Sequence, residues 1–179
     1  QLNLYFEKDS FSLILEDKAT GYMLSSRPEF QGYSETREDN TANRNLMNSG
    51  LWIESIRTNN ISSSAIKVES LYTIADASYQ TNGSQDLANI EWTKPYLLET
   101  NSYQRNRVQV TTSNVNASSF TTTINVTNYG FAFDINIILQ SNGFSVQFDP
   151  STVQETNDQY RLLGLQFFPY FGSAREDVY

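Results

Sequence analysis

The stretch from residue 119 to residue 150 constrains the fold more than any other part of the sequence. It contains three segments in which apolar and polar residues alternate, separated by breaks at residues 128–130 and 141–143. Side chains two apart lie on one face of a strand, so each segment predicts a strand with one apolar face. Asn and Gly at the breaks tolerate the positive φ of tight hairpin turns. The residues predicted to be buried are Phe133, Ile135, Ile137, Phe144, Val146 and Phe148.

An antiparallel meander of this kind needs a second layer against its apolar face, and the rest of the chain must supply it. Strand patterns recur at residues 2–7, 11–16, 22–25, 51–57, 65–75, 107–115 and 160–168. Trp52, flanked by two aliphatic residues, is predicted to lie in the core, and the apolar run of residues 162–168 predicts a strand buried on both faces. We therefore predict an all-β fold, with one antiparallel two-sheet β-sandwich domain spanning residues 1–179 and few short helices.

The composition excludes several kinds of chemistry. The chain contains no His and no Cys, which removes Ser-His-Asp catalysis, His-ligated zinc, thiolate metal sites and disulfides. Its net charge is -8, from 12 basic and 20 acidic residues, and no basic cluster is present. We expect neither nucleic acid nor an anionic membrane as a partner, and no cofactor. No apolar run is long enough to span a bilayer, so we expect no membrane insertion.

The two ends of the sequence predict a piece of a longer protein. The chain begins at Gln1 with neither an initiator Met nor a signal peptide, and it ends at Tyr179 directly after a charged segment. We expect a processed or excised domain on this ground.

Two short motifs resemble a known family. Residues 11–28, FSLILEDKATGYMLSSRP, and residues 165–174, LQFFPYFGSA, resemble segments of the DUF5696 family of large exported bacterial proteins related to glycoside hydrolases. The resemblance implies an N-terminal β-supersandwich of the galactose-mutarotase type, followed by a glycosidase-like barrel. It also implies export from a Gram-positive bacterium, so that the protein is extracellular or on the cell surface. Mutarotases use a His acid, which this chain lacks, so their activity does not transfer with the fold.

The aromatic load of the long connection before residue 107 suggests a sugar platform. Flat rings pack on the apolar faces of sugars, while carboxylates and amides bind the hydroxyl groups. The residues that we assign to carbohydrate binding are Trp92, Tyr96, Tyr103 and Glu91. The alternative is that these rings cap the sandwich core, as large aromatics on loops often do. We assign no catalytic residue, and we expect Glu54, Asp134 and Asp149 to be solvated outer-face side chains.

The C-terminal end carries more aromatic surface than one strand can cover. Tyr170 and Phe171 follow the last strand, and exposed aromatic clusters mark contact sites, so we expect them to contact a downstream domain of the same chain.

The sequence is compatible with three functions. They are a non-catalytic sandwich domain of an exported glycosidase-like protein, a surface interaction or adhesion module without a sugar ligand, and a carbohydrate-active enzyme based on two carboxylates.

Overall fold

The fold is all-β, as the alternating segments predict. The structure, a computed structural model, describes residues 1–8, 10–26, 49–59, 62, 66–71 and 107–172. The strands within these residues are β1 (Leu2–Glu7), β2 (Ser12–Asp17), β3 (Met23–Ser25), β4 (Leu51–Arg57), β5 (Ile66–Ser70), β6 (Val108–Ser113), β7 (Ser119–Val126), β8 (Phe131–Gln140), β9 (Gly143–Phe148), β10 (Gln154–Glu155) and β11 (Tyr160–Phe167). A 3-10 helix, Pro150–Thr152, lies between β9 and β10.

One layer is a five-stranded antiparallel sheet built around the predicted meander. β8 is its central strand, with β7 and then β6 on one side and with β9 and β10 on the other. The first hairpin turn ends at Gly130, whose φ of 70° gives the positive value that Gly accommodates. The second turn is tighter and pairs Gln140 with Gly143. It closes without a positive φ at Asn142 or Gly143, which corrects the prediction for that turn.

The opposite layer consists of two three-stranded antiparallel sheets placed end to end. β1, β2 and β3 form one of them, and β11, β4 and β5 form the other. Backbone hydrogen bonds join the two: the Gly50 N–H donates to the Ser10 carbonyl at 3.0 Å, and the Phe168 N–H donates to the Gly50 carbonyl at 2.6 Å. The Gly172 N–H also donates to the Ser25 carbonyl at 3.0 Å, which ties the segment after β11 to the edge strand β3.

The core lies between these layers and draws on all three sheets. Ring contacts cross it, for example Phe6 against Phe120 at 4.9 Å between centroids. Its buried members are Phe11, Leu13, Leu51, Ile53, Leu71, Val108, Ile124, Val126, Phe131, Phe133, Ile135, Ile137 and Phe168. The arrangement is an antiparallel β-sandwich, and burial of this apolar surface is the main force that stabilises it.

Gly50 lies where the two three-stranded sheets meet, and the space around it is tightly filled. A Cβ added there would overlap the Phe11 carbonyl oxygen and would lie 2.7 and 2.8 Å from two ring carbons of Phe168. Only glycine fits such a contact. The rings of Phe11 and Phe168 stack beside it, with centroids 5.5 Å apart, and each residue has a positive φ, 54° and 47°. Bulky residues rarely adopt this backbone conformation, so the surrounding packing must hold both in place. We call Phe11, Gly50 and Phe168 the seam.

Burial follows the predicted alternation in β8 and is weaker than predicted on the neighbouring strand β9. Phe133, Ile135 and Ile137 are fully buried, as predicted. On β9 the apolar residues Phe144, Val146 and Phe148, also predicted to be buried, are only half-buried, because β9 lies at the edge of the sheet with one neighbouring strand.

Two further predictions about burial are wrong. β11 is not buried on both faces, since Leu163 is 49 % exposed. A register shift between Leu162 and Gly164 places Leu163 on the outer surface, and sequence periodicity gives no sign of such an irregularity. Trp52 is not a core residue either: Leu51, Ile53 and Ser55 point inward on β4, and Trp52 lies half-buried on the opposite face.

Candidate functional site on the outer face of β4

Trp52 and Tyr170 form an aromatic pair on the outer face of the β11–β4–β5 sheet. Their ring centroids are 5.7 Å apart with an interplanar angle of 66°, an edge-to-face contact. β4 places Trp52 on this face by strict alternation, and the turn after β11 brings Tyr170 beside it. Both side chains are half-buried, so part of each ring faces solvent.

A carboxylate and an amide lie on the same face. Gln166 Nε2 donates a hydrogen bond to Glu54 Oε1 at 2.6 Å. Gln166 is the cross-strand partner of Trp52, and Gly164 is the partner of Glu54. A Cβ on Gly164 would lie 3.1 Å from Glu54 Oε2, so glycine leaves room for this carboxylate to extend across β11 toward Gln166. The ring pair and the polar pair are therefore side by side.

Aliphatic side chains extend this surface across the third strand. Val68 of β5 is the cross-strand partner of Glu54 and is 43 % exposed, and Leu163 lies at the bulge of β11. We call this surface the Trp52 face; its defining residues are Trp52, Glu54, Val68, Leu163, Gln166 and Tyr170. It offers rings, an apolar strip, a carboxylate and an amide on one face of a sheet.

The residues assigned to carbohydrate binding from the sequence, Trp92, Tyr96, Tyr103 and Glu91, lie outside the described residues, so their assignment stays a prediction. Phe171 lies on the opposite side of the last turn from Tyr170. It packs against Phe144 at 5.1 Å between centroids and joins the rim of the core. Tyr170 instead belongs to the Trp52 face. The docking of a downstream domain on these two residues also stays a prediction.

Sequence reasoning missed the Trp52 face although a signal was present. In LWIESIR the alternation puts Trp52, Glu54 and Ile56 on one face and Leu51 and Ile53 on the other. Glu54 in the middle of that strand should have marked its face as the outer one, because a carboxylate is rarely buried without a partner.

A second cluster connects the two layers at one end of the sandwich. The Tyr129 hydroxyl donates to Glu69 Oε2 at 2.5 Å, and the Tyr129 ring lies 4.7 Å from that of Tyr160. Burial, and then the hydrogen bond to Glu69, raise the pKa of Tyr129 well above its ordinary value of 10.0. Arg57 Nε donates to the Tyr160 hydroxyl at 3.2 Å. Because these groups bond to one another across the layers, we interpret the cluster as a structural tie.

A third polar cluster lies on the outer face of β1 and β2. The Tyr5 hydroxyl and Asn3 Nδ2 both donate to Glu16 Oε2, at 2.7 and 3.0 Å. The hydrogen bond from Tyr5 lowers the pKa of Glu16, and the same bond raises the pKa of Tyr5. Tyr5 is 50 % exposed, but its ring has no second aromatic partner among the described residues. This cluster therefore lacks the paired platform of the Trp52 face.

The outer face of the five-stranded sheet is mostly polar, with Ala132 and Ile138 of β8 as apolar members. Thr121 donates to Asn136 Oδ1 at 2.8 Å, and Thr123 donates to Asp134 Oδ1 at 2.6 Å. Asp149, beyond the end of β9, accepts from the Ser151 N–H at the start of the 3-10 helix, and its bonds to Ser151 lower its pKa. Asp149 is exposed as expected, whereas Asp134 and Glu54 are half-buried outer-face residues with hydrogen-bond partners.

Within the part of the chain that the structure describes, no three acidic side chains gather closely enough to hold a metal ion. No helix among those residues is long and apolar enough to cross a membrane. No protein-family model matches this sequence, and no curated protein matches it significantly.

Proposed function

We propose that this chain is a non-catalytic carbohydrate-binding β-sandwich domain of an exported, extracellular glycosidase-like protein. The observation that supports this most is the Trp52 face. An aromatic pair lies beside the hydrogen-bonded Glu54 and Gln166, which is the combination that sugars require: rings for the C–H faces, and a carboxylate and an amide for the hydroxyl groups. The resemblance of residues 11–28 and 165–174 to exported glycosidase-like proteins supports the same class of ligand.

The position of the face on a rigid sheet suits binding. Trp52 and Glu54 belong to the central strand of their sheet and are anchored by buried neighbours on either side in the sequence. Such a site loses little side-chain entropy when a ligand binds, because its backbone is already fixed. The ligand we expect is a neutral polysaccharide, since the chain has a net charge of -8 and the face itself carries Glu54.

The test is binding of a panel of neutral polysaccharides, measured by affinity electrophoresis and calorimetry. We expect at least one polysaccharide to bind, and we expect Trp52→Ala to weaken that binding by about tenfold or more, as removal of a central aromatic anchor does. The matched control is Tyr5→Ala, which removes an exposed ring from the outer face of the other three-stranded sheet and should leave affinity within about twofold. Hydrolysis or anomer exchange by the isolated chain should be absent.

The possible outcomes separate the candidate sites. If Trp92→Ala abolishes binding while Trp52→Ala does not, the sugar site is the one predicted from sequence around Trp92. If no polysaccharide of the panel binds at millimolar concentration, carbohydrate binding is excluded for this panel and an interaction module becomes the better proposal.

The exposed aliphatic residues favour that second candidate, a surface for a protein domain. Ile66 and Val68 are each 43 % exposed, and Leu163 is 49 % exposed, all on the outer side of this sheet. If a downstream domain docks here, a chain extended beyond Tyr179 should shield Trp52 from a fluorescence quencher and should not bind polysaccharide. If the extended chain leaves Trp52 equally accessible, this second proposal fails.

A further inference from the structure

The outer edge of β6 is exposed and carries no charged residue. β6 is the last strand of the five-stranded sheet, and among the described strands its only neighbour is β7. All residues from 109 to 113 are exposed except the half-buried Val110. The strand, VQVTTS, contains no charged residue, no Pro and no Gly. An edge strand leaves unpaired N–H and C=O groups that can pair with another strand, and charges, prolines and bulges are the usual protections against this.

The other long edges carry such protection or differ in exposure. β5 has Lys67 and Glu69, and β1 ends at Glu7. β9 is also uncharged, but its side chains are mostly half-buried, and it is followed directly by Asp149 and Pro150. Among the edges of the described sheets, β6 is therefore the one on which strand addition meets the least resistance.

From this edge we propose that two copies of the chain associate through β6, antiparallel and about a two-fold axis at Thr111. The two five-stranded sheets would then continue into one sheet across the dimer. This interface is separate from the Trp52 face and does not depend on carbohydrate binding.

The pattern of β6 is complementary to itself in this register. In an antiparallel pair, residues directly opposite each other point to the same face, so a two-fold axis through the strand must pass at a residue. Centred on Thr111, the pairs are Thr111 with Thr111, Val110 with Thr112, and Gln109 with Ser113. Thr–Thr pairs are favourable across strands, and no charge meets a like charge. This centre also uses the exposed stretch and leaves the buried Val108 outside it.

The complete absence of Cys makes a direct test possible, because any cysteine introduced is the sole thiol. Opposed residues of an antiparallel pair have Cα atoms about 4.5–5.5 Å apart, within the range that a disulfide spans. Thr111→Cys should form a covalent dimer rapidly under mild oxidation. The matched control is Gln147→Cys, an exposed position on β9 at the opposite edge of the same sheet, which should stay monomeric.

Sedimentation of the unmodified chain should show a dimer whose population rises with concentration. Thr111→Lys places two like charges at the axis and should weaken association by about tenfold or more, while Gln147→Lys should leave it unchanged. Because Thr111 is exposed, its reduced variants should keep the melting temperature of the parent chain at dilutions where both are monomeric. A chain that stays monomeric up to about 1 mM, the weak end of specific association, overturns the proposal. Association that Gln147→Lys abolishes and Thr111→Lys does not overturns it as well.

Discussion

The five-stranded sheet and the β11–β4–β5 sheet share one core, but their outer faces present different chemical groups. The first presents mainly hydroxyl, amide and carboxylate groups that bond to one another, such as Thr121 with Asn136 and Thr123 with Asp134. The second presents the rings of Trp52 and Tyr170 beside Glu54. Burial of the inner faces dictates apolar residues in both sheets, whereas nothing in the core dictates which residues lie outside. This difference is why we propose the ring-bearing outer face, rather than the polar one, as the place where a ligand or a domain binds.

The largest expected effect is at the inner face of the five-stranded sheet. Phe133→Ala should lower the free energy of unfolding by about 3–5 kcal/mol, because Phe133 is fully buried and its removal leaves a cavity. Leu163→Ala, on the outer surface of the other layer, is the control and should cost less than about 1 kcal/mol. Urea denaturation measures both. A loss below about 1 kcal/mol for Phe133→Ala would mean that this face is not the core.

The seam gives the next largest effect. Gly50→Ala should destabilise the chain by about 1–3 kcal/mol or more, because its Cβ would overlap the Phe11 backbone and the Phe168 ring. Gly143→Ala is the matched control, since a Cβ there meets nothing within 4 Å and the backbone has no positive φ. Thermal melting of the two variants compares them directly. Equal stability would show that the two three-stranded sheets do not approach closely at Gly50.

The stability that Tyr129 contributes through its bond to Glu69, between the two layers, should depend on pH. Tyr129→Phe removes the hydrogen bond to Glu69 and should cost about 1–2 kcal/mol at neutral pH. In the unfolded chain Tyr129 loses its proton near its ordinary pKa of 10.0, whereas in the folded chain its pKa is raised. The unfolded state therefore releases this proton first, so stability is full below about pH 10 and falls as the pH rises above it.

Melting temperatures measured between neutral and strongly alkaline pH check this dependence. The decline should be shallower in Tyr129→Phe than in the parent chain, and Tyr160→Phe serves as the control. Identical alkaline slopes in the parent chain and in Tyr129→Phe would contradict the role of this residue.

The smallest expected effect is a gain in stability. It is tested on the inner face of β7, and its control lies on the outer face of the same strand. Thr122 Oγ1 is fully buried on β7 and is the one buried side-chain polar atom among the described residues that lacks a hydrogen-bond partner. Thr122→Val keeps the shape and removes that unpaired hydroxyl, so stability should rise by about 1 kcal/mol. Thr123→Val, on the outer face, removes the bond to Asp134 and should not stabilise. Chemical denaturation that shows a loss for Thr122→Val would imply an unseen partner for its hydroxyl.

Local alternation was enough to predict the meander and its inner face. Residues of β7 and β8 pair with near neighbours in the chain, for example Val126 with Phe131, so pattern and pairing coincide. The conformation of the second turn and the bulge in β11 depend on backbone geometry that composition does not encode. For the same reason the sequence could not place Tyr170 next to Trp52, since their contact depends on how β11 pairs with a strand far away in the chain.

The pairing of β4 with β11, which are far apart in the sequence, has a consequence for the order of folding. The bond between Glu54 and Gln166 joins residues 112 positions apart, whereas the β7–β8 and β8–β9 hairpins close over a few residues. Loop-closure entropy makes short-range pairing fast and long-range pairing slow. The meander should thus form first. β4 becomes the central strand of its sheet only after β11 has been synthesised. During translation the Trp52 face is consequently among the last surfaces of the chain to assemble.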